Sequence, residues 1–96
     1  MINWRMFVVN TDRDFIKKAK LIVVDYFNSR VDATDDMKII EDDVFVVWFC
    51  KTLQNWKALV STTVSDGMYY EVTYNGDKNE TYLDAYKKWE NNCILD

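Results

Sequence analysis

The stretch that most constrains the fold is "VSTTVSDGMYYEVTY", residues 60–74, where two runs of β-branched and aromatic residues flank one glycine. Such runs favour β-strands, and a glycine between them favours a tight hairpin. A loop over residues 65–67 separates apolar from polar side chains and leaves Gly67 in a left-handed conformation. The partners predicted on the core face are Val60 with Val72, Ala58 with Tyr74, Thr62 with Tyr70, and Val64 with Met68.

A third strand is predicted from "VFVVWFC", residues 44–50, which is apolar on both faces. A turn centred on Gln54 and Asn55 joins it to the hairpin and directs Phe45, Val47 and Phe49 to the core, opposite Val64, Thr62 and Val60. The other face then carries a second apolar stripe, which cannot be buried in the same core. We expect this stripe to contain Val44, Val46, Trp48, Cys50, Leu59 and Tyr69.

Two helices are predicted to flank these strands. The first covers residues 11–30, begins at the capping residue Thr11, and has an apolar face formed by Phe15, Ile16, Ala19, Ile22, Val23, Tyr26 and Phe27. Lys17, Lys18, Lys20, Asp25 and Asn28 fall on its polar side. Leu21 and Val24 project among polar residues, so either the N-terminal segment covers them or they form an exposed contact patch. The second helix covers residues 79–94, with Asn79 or Thr81 as its cap and Tyr82, Leu83, Tyr86, Trp89 and Cys93 on its apolar face.

The predicted fold class is therefore α+β, in the order helix, three-stranded antiparallel meander, helix, with both helices packed on one face of the sheet. This α-β-β-β-α order is that of double-stranded RNA-binding domains. We expect a single domain over residues 1–96, divided into an N-terminal extension (1–10), a helix (11–30), an acidic linker (31–43), the meander (44–75) and a helix (79–94). The extension is expected to add an edge strand or to lie over the second apolar stripe.

Charge is unevenly distributed along the chain, whose net charge is −4. Residues 1–24 hold five bases and two acids, whereas residues 25–43 hold seven acids and two bases. The linker acids include Asp35, Asp36, Glu41, Asp42 and Asp43, but they lack the alternating spacing, the glycine and the distal glutamate of a calcium loop. We expect a solvated linker. The alternative is an imitation of a nucleic-acid backbone that blocks a DNA- or RNA-binding partner.

Catalytic equipment is not evident in the sequence. The chain has no histidine, its two cysteines lie within apolar patterns without an activating partner, and it has no glycine-rich phosphate loop. We predict that the protein is not an enzyme, requires no cofactor or metal, and uses Cys50 and Cys93 as small apolar residues. No signal peptide or membrane-spanning stretch is evident, so we expect a soluble cytoplasmic protein without membrane contact.

Three stretches of the chain, "VWFCKTLQN", "STTVSDGMYYEVTYNGD" and "YLDAYKKWEN", resemble a family of small uncharacterised proteins from phages and prophages of Gram-positive bacteria. The likeness covers about residues 38–95, and "FIKKAKLIVVDYFNSRVD" is more loosely similar. The first ten residues depart from the family. The resemblance implies a small accessory protein in the cytoplasm of a bacterial host, and no functional residues carry over from it.

These observations favour a binding module that acts on a host or phage protein, as in host takeover or the blocking of host defence. The alternative is a nucleic-acid-binding module, and a homodimer joined through the second apolar stripe is a third hypothesis. The candidate partner-binding residues are Val46, Trp48, Tyr69, Leu21, Val24, Asp35, Asp36, Glu41, Asp42 and Asp43.

Overall fold

The computed structural model describes residues 8–31 and 38–96, and within them helix α1 spans Asp12–Arg30. Helix α1 confirms the helix that was predicted to begin at Thr11. The hydroxyl of Thr11 accepts a hydrogen bond from the amide of Asp14 (3.1 Å), and the carboxylate of Asp14 accepts one from the amide of Thr11 (3.1 Å). This capping box satisfies donors that the first helical turn leaves unpaired. At the other end, the side-chain amide of Asn28 bonds both the N–H (2.8 Å) and the C=O (2.9 Å) of Ile39.

Four strands follow and form one antiparallel sheet in sequential order. They are β1 (Val44–Thr52), β2 (Asn55–Thr62), β3 (Met68–Asn75) and β4 (Glu80–Lys87). The predicted meander is present, but it has one more strand than predicted. The helix predicted over residues 79–94 was wrong, because this stretch forms β4 and a segment, residues 88–96, without regular secondary structure.

The turn between β3 and β4 explains why the chain returns as a strand. The side-chain oxygen of Asn75 accepts hydrogen bonds from the amides of Asp77 (3.0 Å) and Lys78 (3.2 Å), which closes a turn directly after β3. Asn79, predicted as a helix cap, has a φ of 53° and accepts a hydrogen bond from the hydroxyl of Tyr74 (2.9 Å). A strand here also pairs with β3 along its full length, from Met68 opposite Lys87 to Asn75 opposite Glu80. Backbone pairing therefore outweighs the helical spacing of the aromatic residues.

Strand β1 contains a β-bulge at Val47, where its register against β2 shifts. Before the bulge, Val46 lies opposite Val60. After it, Trp48 lies opposite Leu59, and Val47 has no partner in the register. An extra residue reverses the alternation of side chains, so the faces predicted for the first half of β1 were wrong. Val44 is 3% exposed and Val46 packs against the core, whereas Phe45 and Val47 are 47% and 46% exposed.

The hairpin of β2 and β3 confirms the predicted faces but not the predicted partners. Val60 lies opposite Tyr70 and Ala58 lies opposite Val72, a shift of two residues from the prediction. A shift of two keeps every side chain on its face, because the side-chain period of a strand is two. The connection is longer than predicted and covers residues 63–67. Gly67 adopts the predicted left-handed conformation, with a φ of 73°.

The core lies between α1 and one face of the sheet. Lys18, which the sequence places on the polar side of α1, is also buried at 6% exposure, and its Nζ lies 5.0 Å from the centre of the Tyr74 ring. No second helix covers the sheet within the residues that the structure describes. The apolar core consists of Phe15, Ala19, Ile22, Val23, Ile39, Val44, Trp56, Ala58, Val60, Tyr70, Val72 and Tyr74.

The order of elements is one helix followed by four strands, so the final helix of a double-stranded RNA-binding domain is replaced by β4. An added strand in residues 1–7 lies outside the described residues, and residues 8–10 are not in a strand. None of the helices in the described part of the chain has the length and apolar character needed to cross a membrane.

Candidate interaction surface

The sheet face opposite α1, here called the outer face, carries large apolar side chains that remain in contact with solvent. Alternation along the four strands assigns to it every side chain that does not point toward α1. Its exposed apolar members are Phe45 (47%), Trp48 (41%), Tyr82 (51%) and Tyr86 (52%), and the bulged Val47 adds a fifth at 46%.

Phe45, Val47, Trp48 and Tyr86 are joined into a band by two half-buried neighbours in the central strands, whereas Tyr82 lies opposite Thr73, on the other side of Asp84. Trp48 lies opposite Leu59, and Tyr69 lies opposite Tyr86. Phe45 lies at the same level of the sheet as Tyr69, because Phe45 pairs with Ser61 and Val60 pairs with Tyr70. The apolar band therefore crosses the sheet from β1 to β4 near the end where β2 and β3 are connected.

The rest of the outer face is acidic. It carries one base, Lys57, and three acids, Glu71, Glu80 and Asp84. Lys57 Nζ lies 3.4 Å from a carboxylate oxygen of Glu71, and Asp84 stands opposite Glu71 in the register. Two like charges opposite each other destabilise a strand pair, and the lysine offsets part of this repulsion. The net negative charge opposes contact with a phosphate backbone.

Tyr82 belongs to the acidic part of the outer face. Its hydroxyl donates a hydrogen bond to the carboxylate of Glu80. This hydrogen bond, with the negative charge of Glu80, raises the pKa of Tyr82 above its ordinary value. The phenol thus stays neutral and presents a ring to solvent beside two carboxylates.

Two of the sequence-predicted candidates, Trp48 and Tyr69, lie on the outer face as expected. Val46 does not, because the bulge turns it toward α1. On α1, Leu21 and Val24 are half-buried, and Val24 packs against the core. The structure thus brings Trp48 and Tyr69 together and separates them from the other three.

The acidic candidates of the linker are dispersed. Asp35 and Asp36 lie outside the described residues. Glu41 forms an ion pair with Lys17 on α1, and the carboxylate of Asp43 accepts a hydrogen bond from the amide of Ile40 (2.9 Å). Asp42 is exposed. Glu41 and Asp43 therefore hold a short 3₁₀ turn, Glu41–Asp43, against the helix.

Cys50 lies on the outer face as predicted, opposite Lys57, whereas Cys93, which was predicted on the buried face of a second helix, is exposed in the segment after β4; both are free thiols. Among the described residues, no three His, Cys, Asp or Glu side chains come close enough together to hold a metal ion.

A second concave surface lies where α1 ends, and we call it the helix-end groove. It has a volume of about 250 Å³ and is lined by Tyr26, Phe27, Arg30, Val31, Asp66, Met68 and Tyr70. The Arg30 guanidinium lies 4.2 Å from the centre of the Tyr26 ring, and the Tyr26 and Tyr70 rings meet edge to face at 5.7 Å. Burial raises the pKa of Tyr70, and the charge of Asp66 raises it further.

Four outer-face residues were not predicted as candidates: Phe45, Val47, Tyr82 and Tyr86. The signal for the two tyrosines was present, since residues 82, 84 and 86 also fit the alternation of a strand. Nothing local in "VFVVWFC" marks the position of the bulge that exposes the other two.

Comparison with known proteins places most of the chain in one family. A protein-family profile described as a family of unknown function, DUF6275, matches residues 16–96. No curated protein and no solved structure matches the chain.

Proposed function

The chain belongs to the DUF6275 family, whose function is unknown, and we propose that it is a non-catalytic module that binds a protein partner through its outer face. The observation that carries this proposal is the apolar band of Phe45, Val47, Trp48 and Tyr86, each about half exposed. An aromatic side chain buries roughly 150–250 Å² when covered, so the band offers on the order of 300–400 Å² of exposed apolar surface. This lies within the range of about 300–600 Å² for the largest patch on a typical monomer, which is often a functional surface.

The composition of the band supports a protein as the partner. Tryptophan and tyrosine are the side chains that most often dominate the binding energy of protein interfaces, and a polar rim usually surrounds them. Here Trp48 lies near one edge of the sheet and Tyr86 near the other, with Lys57, Glu71 and Asp84 beside the band. The apolar band therefore has charged residues along one of its sides.

The biological setting is part of the proposal and rests on the sequence resemblance of residues 38–95. The protein acts in the cytoplasm of a Gram-positive host as a phage or prophage accessory protein. Its partner is a host or phage protein, and binding modulates a host factor, as in takeover or the blocking of a defence system. Stoichiometric binding needs no catalytic group, which agrees with a chain that contains no histidine.

Nucleic-acid binding is the rival function, because exposed aromatic rings on a sheet can stack bases. Two observations count against it. The double-stranded RNA-binding order of elements is not present, and the outer face has three acids for one base. A protein that grips phosphates needs the opposite charge balance.

The test is capture of partners from a host lysate by the tagged chain, followed by measurement of the affinity of the purified partner. Trp48→Ala is expected to weaken the affinity at least 30-fold, as loss of a central aromatic anchor does. Leu53→Ala is the matched control, since Leu53 is 76% exposed in the β1–β2 turn, away from the apolar band. Equal losses in both variants, or in neither, would refute the assignment to the outer face.

The rival is tested in the same preparation. The chain is titrated against duplex RNA and single-stranded DNA in gel-shift assays at several salt concentrations. Affinity that falls steeply with salt and is lost in Trp48→Ala would replace the proposed function by base stacking on the outer face.

A further inference from the structure

The segment that follows β4 leaves three large apolar side chains almost entirely in solvent. Trp89 is 94% exposed, Ile94 is 85% exposed and Leu95 is 88% exposed. These values far exceed those of the outer face, where the same kinds of side chain are about half covered. A nine-residue segment with this composition has apolar surface to bury, and residues 8–31 and 38–87, the rest of the chain that the structure describes, leave these three side chains uncovered.

The helix-end groove offers a matching cavity. Pockets for small molecules usually measure about 300–1,000 Å³, so a volume of about 250 Å³ suits a single large side chain better than a ligand. Its walls combine the ring of Tyr70, the thioether of Met68 and the guanidinium of Arg30. Each of these groups interacts favourably with an indole ring, and tryptophan is the best partner for a cation over an aromatic face.

The polar groups of the groove also suit a tryptophan that is followed by a glutamate. Asp66 uses Oδ1 to accept a hydrogen bond from the amide of Met68 (3.0 Å), which leaves Oδ2 as an acceptor for an indole N–H. Arg30 stacks on Tyr26 and keeps donors for a carboxylate. In the sequence, Glu90 follows Trp89 directly.

We propose that the helix-end groove receives Trp89 and Glu90 of a second copy of this chain, so that two copies exchange their C-terminal segments in a symmetric dimer. The amide of Lys88 is held by the carbonyl of Gly67 (2.7 Å), which extends the β3–β4 pairing to the residue before Trp89, and at 94% exposure the Trp89 side chain does not fill the groove of its own chain. Trp89 therefore leaves the sheet exposed. Trp89 and Glu90 are the first two residues after Lys88, so the exchange requires the grooves of the two copies to face each other across the two-fold axis.

The area buried by such an exchange fits a stable dimer. Covering Trp89, Ile94 and Leu95 removes about 400 Å² of apolar surface from water per segment. The surface that receives each segment loses a similar area, and a symmetric dimer contains the contact twice. The total is about 1,600 Å², which is the standard size of a specific protein interface.

The test is sedimentation equilibrium of the full chain over a wide range of concentration. We expect a monomer–dimer equilibrium and an increase of about 1,000-fold in its dissociation constant for Trp89→Ala, since each of two contacts loses about 30-fold. Trp48→Ala, which changes an aromatic residue of the outer face, should leave the constant within a few-fold. Trp89 is exposed in the single chain, so its removal should not affect folding.

A charge exchange tests the groove itself. Arg30→Glu and Glu90→Arg should each weaken the dimer, and the double variant should restore most of the loss. Mixing Trp89→Ala with Arg30→Glu pairs one intact groove with one intact segment, so a weak 1:1 complex should form although neither variant dimerises alone.

Three results would overturn the proposal. The first is a chain that stays monomeric at every concentration while acrylamide still quenches Trp89. The second is a monomer in which Trp89 is protected from quenching, which would assign the groove to the chain's own segment. The third is a dimer that survives Trp89→Ala and is lost in Trp48→Ala, which would assign self-association to the outer face.

Discussion

The bulge at Val47 makes adjacent residues of β1 respond to truncation in an order that their sizes do not suggest. Val44 is 3% exposed and belongs to the core, whereas Phe45 is 47% exposed on the outer face. Removing two methyl groups from a buried valine costs about 2 kcal/mol once the residual cavity is included. Removing a phenylalanine ring that is half in water opens no cavity and should cost about 1 kcal/mol. We therefore expect Val44→Ala to be more destabilising than Phe45→Ala.

Phe49→Ala provides the matched control, because it is the same substitution in the same strand on the core side. The Phe49 ring lies 6.1 Å from that of Phe15, centre to centre, and packs against the core. We expect this variant to lose about 3 kcal/mol, the lower end for a buried aromatic residue. The losses of stability in Phe49→Ala and Phe45→Ala should thus differ by about 2 kcal/mol, although residues four apart in a regular strand lie on the same face.

Urea unfolding, followed by circular dichroism, measures these differences if the slope with denaturant stays constant across the variants. A loss of 3 kcal/mol or more in Phe45→Ala, together with a loss below about 0.5 kcal/mol in Val44→Ala, would contradict the bulge. It would mean that β1 follows the unbulged register, with Phe45 in the core and Val44 outside. The band on the outer face would then lose two of its four exposed members.

Four further predictions concern a hydrogen bond from the sheet to α1, a turn and two buried ionisable groups. Trp56 donates from Nε1 to a carboxylate oxygen of Asp12 (3.0 Å), so Trp56→Phe should cost about 2 kcal/mol in urea unfolding and about 1 kcal/mol less in an Asp12→Ala background. Leu53 has a φ of 57°, which asparagine tolerates better, so Leu53→Asn should raise the urea midpoint by an amount equivalent to about 0.5–1 kcal/mol, whereas Leu53→Ala should not. Burial lowers the pKa of Lys18 below its ordinary value of 10.5, so the unfolded chain holds this proton to higher pH than the folded chain. The free energy of unfolding should therefore rise with pH up to 10.5, and Lys18→Met should remove the rise. Burial raises the pKa of Tyr70 above 10.0, so the folded chain holds this proton to higher pH than the unfolded chain. The free energy of unfolding should therefore fall as pH increases beyond 10.0, and Tyr70→Phe should remove the fall. Unchanged pH profiles in the Lys18 and Tyr70 variants would contradict the pKa shifts of both residues.

Local chemistry made parts of this fold predictable from sequence. Thr11 begins the helix because a side-chain oxygen satisfies a free amide three residues later, and this depends on nothing beyond the first turn. Gly67 marks the hairpin because a left-handed φ costs glycine little. The faces of β2 and β3 also follow from sequence, since a two-residue error in register leaves them unchanged.

The predictions that were wrong concern features that depend on contacts between distant segments. The pattern of Tyr82 and Tyr86 fits a helix and a strand equally well, and only the open edge of β3 decides between them. Lys18 looks solvent-facing on a helical projection, but the ring of Tyr74 from β3 lies over it. The bulge at Val47 likewise depends on how β1 pairs with β2, and nothing in the seven residues of "VFVVWFC" indicates its position.

One consequence of the missing second helix links the two proposed surfaces. An amphipathic helix over residues 79–94 would have buried Tyr82, Tyr86 and Trp89 together, in a single stripe against the sheet. As a strand, the same stretch places the tyrosines on the outer face, and Trp89 follows past the end of the sheet. The aromatic surface is thereby divided between two sites that share no residue. If both proposals hold, Trp48→Ala should impair partner binding without changing self-association, and Trp89→Ala should do the reverse. A partner that bound only the dimer would instead couple the two equilibria. Adding the partner would then increase the affinity of dimerisation, and dimerisation would increase the affinity for the partner by the same factor.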